Sequence, residues 1–446
     1  MWQHCYTPFI WLKHGKMKIL MFGWEFPPHI TGGLGTACYG LTKALSAIDG
    51  CEVIFVVPKV WGDEETNSFR LVGANRVPIR KKMVVWKENS QPVEYLEVDS
   101  LLIPYCGNEM FWKLKKGRYI RNTKFIEISD DGTIPFSGGY SPAMTGEIRK
   151  YAMVAEIIAE EYSFDLIHAH DWLAYPAGIA AKRKSGKPLV IHVHATEFDR
   201  SGGNVNPEVY NIEREGMELA DRIIAVSNLT RNTVIEKYGI EPDKVVTVYN
   251  AVEPVTDDEK KTVKKGITDR IVTFLGRITY QKGPEYFIEA AALVLKEMDH
   301  VRFVMAGSGD MMDAMVEHTA RLSISDRFHF TGFLAGDDVY TMLKISDVVV
   351  MPSVSEPFGI VPLEAMHSGI PVIISRQSGV AEILRYAIKI DFWDTHALAD
   401  AIYGLLNYPS LSHLLSEKGL EETSTLKWKN AAEKVFGVYR TCMEIS

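Results

Sequence analysis

The stretch Pro352-Ser353-Val354-Ser355-Glu356-Pro357-Phe358-Gly359-Ile360-Val361-Pro362-Leu363-Glu364 decides how this chain is read. It follows the short β-branched run Val348-Val349-Val350-Met351, which reads as a buried strand, and leads into the helix-patterned Leu363-Glu364-Ala365-Met366. Pro362 suits a first helical turn, where an N–H would have no partner. In an open parallel sheet the carboxyl ends of the strands face the binding crevice, and a helix N-terminus beyond the loop offers free N–H groups to an anion. Glu356 in the loop and Glu364 in the helix bracket the amides of Phe358, Gly359 and Ile360. N–H donors for an oxyanion beside carboxylate acceptors for hydroxyls suit a ligand that carries both phosphate and sugar. A loop acid and a first-turn acid that merely favours the helix dipole would produce the same pair, so the rest of the chain must discriminate.

A chain of 446 residues, 46% apolar and 24% charged, is long enough for two or three globular domains. Its net charge of −8 argues against a nucleic-acid partner, which demands clustered Lys and Arg. No run of eighteen apolar residues is present to span a membrane. Residues 1–16 are interrupted by His4, Lys13 and His14 and read as an N-terminal extension ahead of a natural start at Met17. The five cysteines, Cys5, Cys38, Cys51, Cys106 and Cys442, are odd in number and show no C-x-x-C spacing. They read as reduced thiols of a cytoplasmic protein without structural zinc.

Strands and helices alternate from Lys18 onward, which predicts an α/β fold. After the first strand, Thr31-Gly32-Gly33-Leu34-Gly35 opens an amphipathic helix, so that backbone can approach a ligand at Gly33. Cys38 stands where the third glycine of a dinucleotide fingerprint belongs, which disfavours a nicotinamide enzyme. Residues 60–145 mix strands such as Met83–Trp86 with aromatic, turn-rich pieces that either border a carbohydrate groove or pack on themselves. Leu166–His170 and Leu189–His194 read as strands whose ends carry His170-Asp171-Trp172 and His194-Ala195-Thr196. His192 and His194 point the same way along a strand, and His194, nearer the loop, is the better candidate. A metal is not expected, because no carboxylate or Cys sits at ligand spacing and Asp171 lies on another strand.

The first domain is predicted over residues 17–252 and a polar linker over 253–270. The second domain covers 271–425, and 426–446 form a last helical segment. The second domain opens with a strand and the loop Gly276-Arg277-Ile278-Thr279-Tyr280-Gln281-Lys282-Gly283. Two fixed cations in such a loop, Arg277 by its fork and Lys282 as a point charge, can neutralise a diphosphate. Gly307-Ser308-Gly309-Asp310 is another strand-end loop, whose acid can accept from a ribose or base.

Taken in order, Glu25-Phe26-Pro27 before Gly32-Gly33-Leu34, His170-Asp171-Trp172, His194-Ala195-Thr196, Asn250, Gly276-Arg277 with Gln281-Lys282-Gly283, Gly307–Asp310 and the Glu356 stretch resemble a retaining glycosyltransferase of the GT-B class, and within it the glycogen and starch synthases. The stretch itself is similar to the E-x-(7)-E element of that class. The resemblance implies two Rossmann-like domains facing each other across a deep cleft, with the C-terminal helix crossing back to the first domain. It further implies transfer of glucose from UDP- or ADP-glucose to the non-reducing end of an α-1,4-glucan, with retention and no other cofactor. Donor binding falls to Gly33, Arg277, Lys282, Asp310, Phe358, Gly359, Ile360 and Glu364, and acceptor binding to Asp171 and Trp172. His194, Arg277, Lys282 and Glu356 are implied as catalytic. The lysine that ADP-glucose enzymes carry two positions before the paired glycines is replaced by Ile30, whereas His-Ala-Thr resembles the UDP-glucose enzymes of fungi and animals, so the donor base stays open. The competing readings are a related transferase of surface polysaccharide or lipid-linked glycan, a non-catalytic glucan-binding protein, and a phosphorylase using pyridoxal phosphate.

Overall fold

The computed structural model describes residues 16–29, 32–64, 68–79, 82–88, 91–97, 129, 131–140, 144–253, 263 and 265–445. The expectations at residues 1–15, at Ile30 and at Tyr105–Trp112 lie outside them. Two parallel sheets organise the chain. The first contains β1 (Met17–Phe22), β2 (Cys51–Val57), β3 (Arg70–Gly73), β6 (Leu166–His170), β7 (Leu189–Val193), β8 (Arg222–Ala225) and β9 (Val245–Thr247), in the order β3-β2-β1-β6-β7-β8-β9. The second contains β10 (Arg270–Leu275), β11 (Val301–Ala306), β12 (Phe328–Gly332), β13 (Val348–Met351), β14 (Val372–Ser375) and β15 (Ile388–Ile390), in the order β12-β11-β10-β13-β14-β15. An antiparallel hairpin, β4 (Lys82–Glu88) with β5 (Gln91–Glu97), is inserted between β3 and β6.

The central strands are largely buried because helices cover both faces of a parallel sheet. In β1, Ile19 to Phe22 are fully buried, and so are Val348 to Val350 in β13 apart from a trace. The first sheet is flanked by α1 (Gly33–Ser46), α2 (Met144–Glu161), α3 (Tyr175–Ser185), α4 (Glu197–Ser201), α5 (Pro207–Leu219) and α6 (Asn228–Tyr238). The second is flanked by α7 (Pro284–Val294), α8 (Met312–Arg321), α9 (Asp337–Ile345), α10 (Val361–His367), α11 (Thr395–Asn407) and α12 (Pro409–Thr423).

The last helix, α13 (Trp428–Ile445), packs on the first domain. Trp428, Ala432, Val435, Tyr439 and Cys442 recur at three-and-four spacing and are all buried. Burial of Val435 and Phe436 contributes roughly 1.5–3 kcal/mol each. A Cβ added at Gly40 of α1 would lie 2.4 Å from Trp428 Nε1, which shows how closely the two helices approach. Tyr439 OH meets His168 Nδ1 at 2.6 Å beneath the first sheet. The two passages between the sheets run side by side, with Val252 N donating to Leu426 O at 3.2 Å. Cys38 and Cys51 are buried free thiols, and Cys442 is buried as well. No helix among the described residues is long and apolar enough to cross a membrane.

Candidate functional site in the cleft

Strand order reverses at β1, which pairs with both β2 and β6, and again at β10, which pairs with both β11 and β13. Loops leaving the carboxyl ends of strands at such points line the binding crevice of an open α/β sheet. Those loops carry Gly33 after β1, Asp171 and Trp172 after β6, Arg277 and Lys282 after β10, and Glu356 after β13.

In the second domain three loops interlock through backbone. Ile278 N donates to Ser308 O at 2.9 Å, Met311 N to Ile278 O at 3.1 Å, and Val354 N to Gln281 O at 2.9 Å. Glycine is required where they touch: a Cβ at Gly309 would lie 2.1 Å from Ile278 O, and one at Gly283, with φ at +64°, 2.2 Å from Pro352 O. The Lys282 ammonium and the buried Glu356 carboxylate form an ion pair, and Ser353 Oγ donates to the same carboxylate oxygen at 3.3 Å. Sequence reasoning assigned these two residues to separate parts of a ligand and missed their direct contact. Arg277 and Asp310 stand exposed on adjoining loops. Phe358 and Ile360 turn their side chains into the core, and Gly359 between them has φ +101°. Glu364 lies half-buried in α10, and burial alone pushes its carboxyl up to about 7.

In the first domain Asp171 is buried in the left-handed region at φ +62°, with Trp172 N donating to its Oδ1 at 2.8 Å. Burial raises its pKa, and Arg200, 3.8 Å away, opposes the shift. Arg200 also pairs with Glu197 and Glu213, and Tyr238 OH donates to Glu213. Burial disfavours the guanidinium charge, and these carboxylates restore it.

His168, His170, His192 and His194 stack on one face of β6 and β7, with His192 and His194 ring centroids 4.4 Å apart. Cys38 of α1 joins this set: its thiol and ring nitrogens of His170 and His194 lie within 4.8 Å of one another. No cysteine stood at ligand spacing along the chain, but the fold brings Cys38 beside these histidines, a proximity that sequence spacing conceals. The ring planes differ by 11° for His168 and His192 and 21° for His192 and His194, but by 36° for His168 and His170 and 34° for His170 and His194. Burial and the neighbouring rings hold His168, His170 and His192 neutral, and burial lowers His194 to about 3. His194 is half-buried, and its Nε2 meets His170 Nδ1 at 3.0 Å.

Polar contacts join the two halves. Ser355 Oγ donates to Asp199 Oδ1 and Ser227 Oγ to Pro357 O, each at 2.6 Å. Glu382 accepts from Asn228 N at 2.9 Å, Leu229 N at 2.7 Å and Tyr249 OH at 2.8 Å, and so covers the N-terminus of α6. Sequence reasoning missed Asp199, Arg200, Ser355 and Glu382. A capping-box pattern, Thr196-x-x-Asp199 directly after a strand, was the available signal for Asp199. Gly33 stands exposed at the start of α1, with no described atom within 4 Å of where its Cβ would sit.

Residues 255–422 match the family model for glycosyl transferases group 1, and residues 130–255 match the model for glycosyltransferase family 4. The chain is a glycosyltransferase, and the group 1 match lies in its second half. This glycosyltransferase is 27% identical to an uncharacterized glycosyltransferase of Methanocaldococcus jannaschii over 96% of its own length and 99% of the relative's. It is 24% identical to a glycogen synthase of Mycobacterium tuberculosis, covering 95% and 94% of the two chains. Among solved structures, sucrose-phosphate synthase from Thermosynechococcus elongatus superposes with a TM-score of 0.69 at 17% identity, covering 97% of this chain and all of that one. The GT-B architecture of the glycosyltransferase is thereby shown.

Proposed function

We propose that the enzyme is a retaining glucosyltransferase of the glycogen synthase type, which moves glucose from UDP- or ADP-glucose to the 4-hydroxyl at the non-reducing end of an α-1,4-glucan. The observation that carries this reading is the Lys282–Glu356 pair at the second sheet's reversal point, tied to the segment after His194 by the Ser355–Asp199 hydrogen bond. Full-length similarity to a glycogen synthase supports the choice of sugar and acceptor.

The bond from the anomeric carbon to the diphosphate breaks, and the diphosphate leaves with the electron pair. Arg277, Lys282 and the amides at Phe358, Gly359 and Ile360 meet the charge that develops on it, usually the largest single catalytic contribution. Lys282 exchanges part of its bond to Glu356 for the phosphate. Glu356, so released, accepts from sugar hydroxyls and faces the positive charge growing on the ring. For retention without a covalent intermediate the acceptor hydroxyl arrives on the face that the diphosphate leaves, so its proton passes to the departing phosphate oxygen. His194 stays neutral at working pH, and with Nε2 taken up by His170 its Nδ1 serves the glucose. Gly33 gives the diphosphate room to approach, Glu364 and Asp310 hold the nucleoside end, and Asp171 and Trp172 orient the acceptor. Two cations beside the leaving group make an added metal unnecessary in this reading.

The test is nucleoside diphosphate release from UDP-glucose and ADP-glucose, in separate reactions with EDTA and with or without glycogen. Turnover that depends on glycogen and prefers one donor is expected. Turnover that ignores glycogen would move the reading to another acceptor.

A further inference from the structure

Asp199 is buried, and its two carboxylate oxygens serve different domains. Oδ2 accepts from Thr196 N and Thr196 Oγ1, both at 2.8 Å, and closes the cap of α4 two residues beyond His194. Oδ1 accepts from Ser355 Oγ, the residue immediately before Glu356. Pro357, immediately after Glu356, is held by Ser227 of the first domain. Glu356 is therefore gripped on both sides by the domain that carries His194. A helix cap alone needs only one oxygen, so the second oxygen has another task.

We propose that Asp199 is the positioning residue that sets His194 against Glu356 when the cleft is closed, with the Ser355 hydroxyl as its counterpart. This rests on the reading above, in which His194 and Glu356 attend the same glucose. A hydrogen bond to a carboxylate is short and strong compared with a neutral one. Donor affinity resides in the cations and amides of the second domain, while productive alignment depends on the bridge. Its loss therefore falls on turnover and leaves donor binding nearly untouched.

The experiment compares Ser355→Ala, Ser355→Thr, Asp199→Asn and the Ser355→Ala/Asp199→Asn double variant. Two readouts are taken: donor kinetics, and hydrogen exchange in peptides spanning 353–358 of the ligand-free protein. Ser355→Ala spares the Thr196 cap, so it isolates the bridge. Expected are a kcat lowered roughly tenfold with KM for the donor within about threefold, and restoration by Ser355→Thr. Exchange at 353–358 should rise in Ser355→Ala and Asp199→Asn but not in Ser355→Thr, and the double variant should be no worse than Asp199→Asn. Unchanged exchange at 353–358, additive losses, or a Ser355→Ala enzyme with wild-type kcat would overturn the proposal. Exchange needs no substrate, so an enzyme inactive on both donors would defeat the functional reading while exchange still decides whether the bridge couples the domains.

Discussion

Glu364 is the residue whose environment makes the sharpest statement about pH. Its carboxyl, raised to about 7 by burial, binds a proton more tightly folded than unfolded. Its contribution to stability is therefore complete below pH 4.5 and is lost as pH rises through 7. Glu364→Gln should accordingly melt higher than wild type at pH 8, with the difference shrinking toward pH 4.5. If Glu364 accepts ribose hydroxyls, the ionised form binds better. The ratio of wild-type to Glu364→Gln affinity for a nucleoside diphosphate should then grow from pH 5.5 to 7.5, as titration calorimetry can follow. A flat ratio would remove Glu364 from the nucleoside site.

The Lys282–Glu356 pair makes a second prediction at the same scale. Lys282→Ala should lower kcat by about a hundredfold or more, the loss typical of one transition-state donor. It also strands a buried carboxylate, so the melting temperature should fall too. Glu356→Gln removes that burden, and the double variant should recover stability without recovering turnover. Recovery of both in thermal and kinetic assays would mean that the pair is structural.

At the scale of elements, the interlocking loops of the second domain depend on glycines that face backbone oxygens. Gly309→Ala would force its Cβ against Ile278 O, 2.1 Å away, and nothing there is a flexible side-chain end. A loss on the order of 2–3 kcal/mol is expected, read as a lower denaturant midpoint at unchanged slope. Tyr439→Phe on α13 should cost about 1–3 kcal/mol, because the buried His168 Nδ1 would lose its partner.

The elements were largely legible in the sequence. Short apolar runs such as Ile271–Leu275 and Val348–Met351 are strands, and three-and-four patterns such as Leu34 to Ile48 mark helices. Gly276-Arg277 and Glu356 were visible as strand-end loops for the same reason. What local pattern does not encode is which loops meet. Ser355 and Asp199 are 156 residues apart, and their contact exists only after both sheets have formed and faced each other. Strand order is likewise a tertiary choice, so the reversal points that place Lys282 beside Glu356 could be argued only by resemblance.

At the scale of the whole molecule, closure is held by a few polar contacts beside a hinge. One apolar cluster runs from the first sheet through α13 into the α10 face of the second domain. The passages at Val252 and Leu426 lie outside both sheets, so a hinge motion there would leave either sheet intact. Glu382→Ala removes the acceptor for three donors of the first domain and should favour the open form. Small-angle scattering should then report a larger radius of gyration without ligand, while the melting profile of each domain changes little. An unchanged radius would assign closure to the apolar cluster instead.

The return of α13 to the first sheet also bears on how the protein is made. A chain emerging from the ribosome presents α1 and the histidine face of β6 and β7 hundreds of residues before Trp428, Val435 and Tyr439 exist to cover them. The second domain, whose strands and helices are contiguous from Arg270 to Thr423, can complete its own core first. The domain synthesised first is thus finished last, reversing the usual order of assembly during translation. Until synthesis reaches the end of α13, its apolar flank stands open to chaperones or to neighbouring chains.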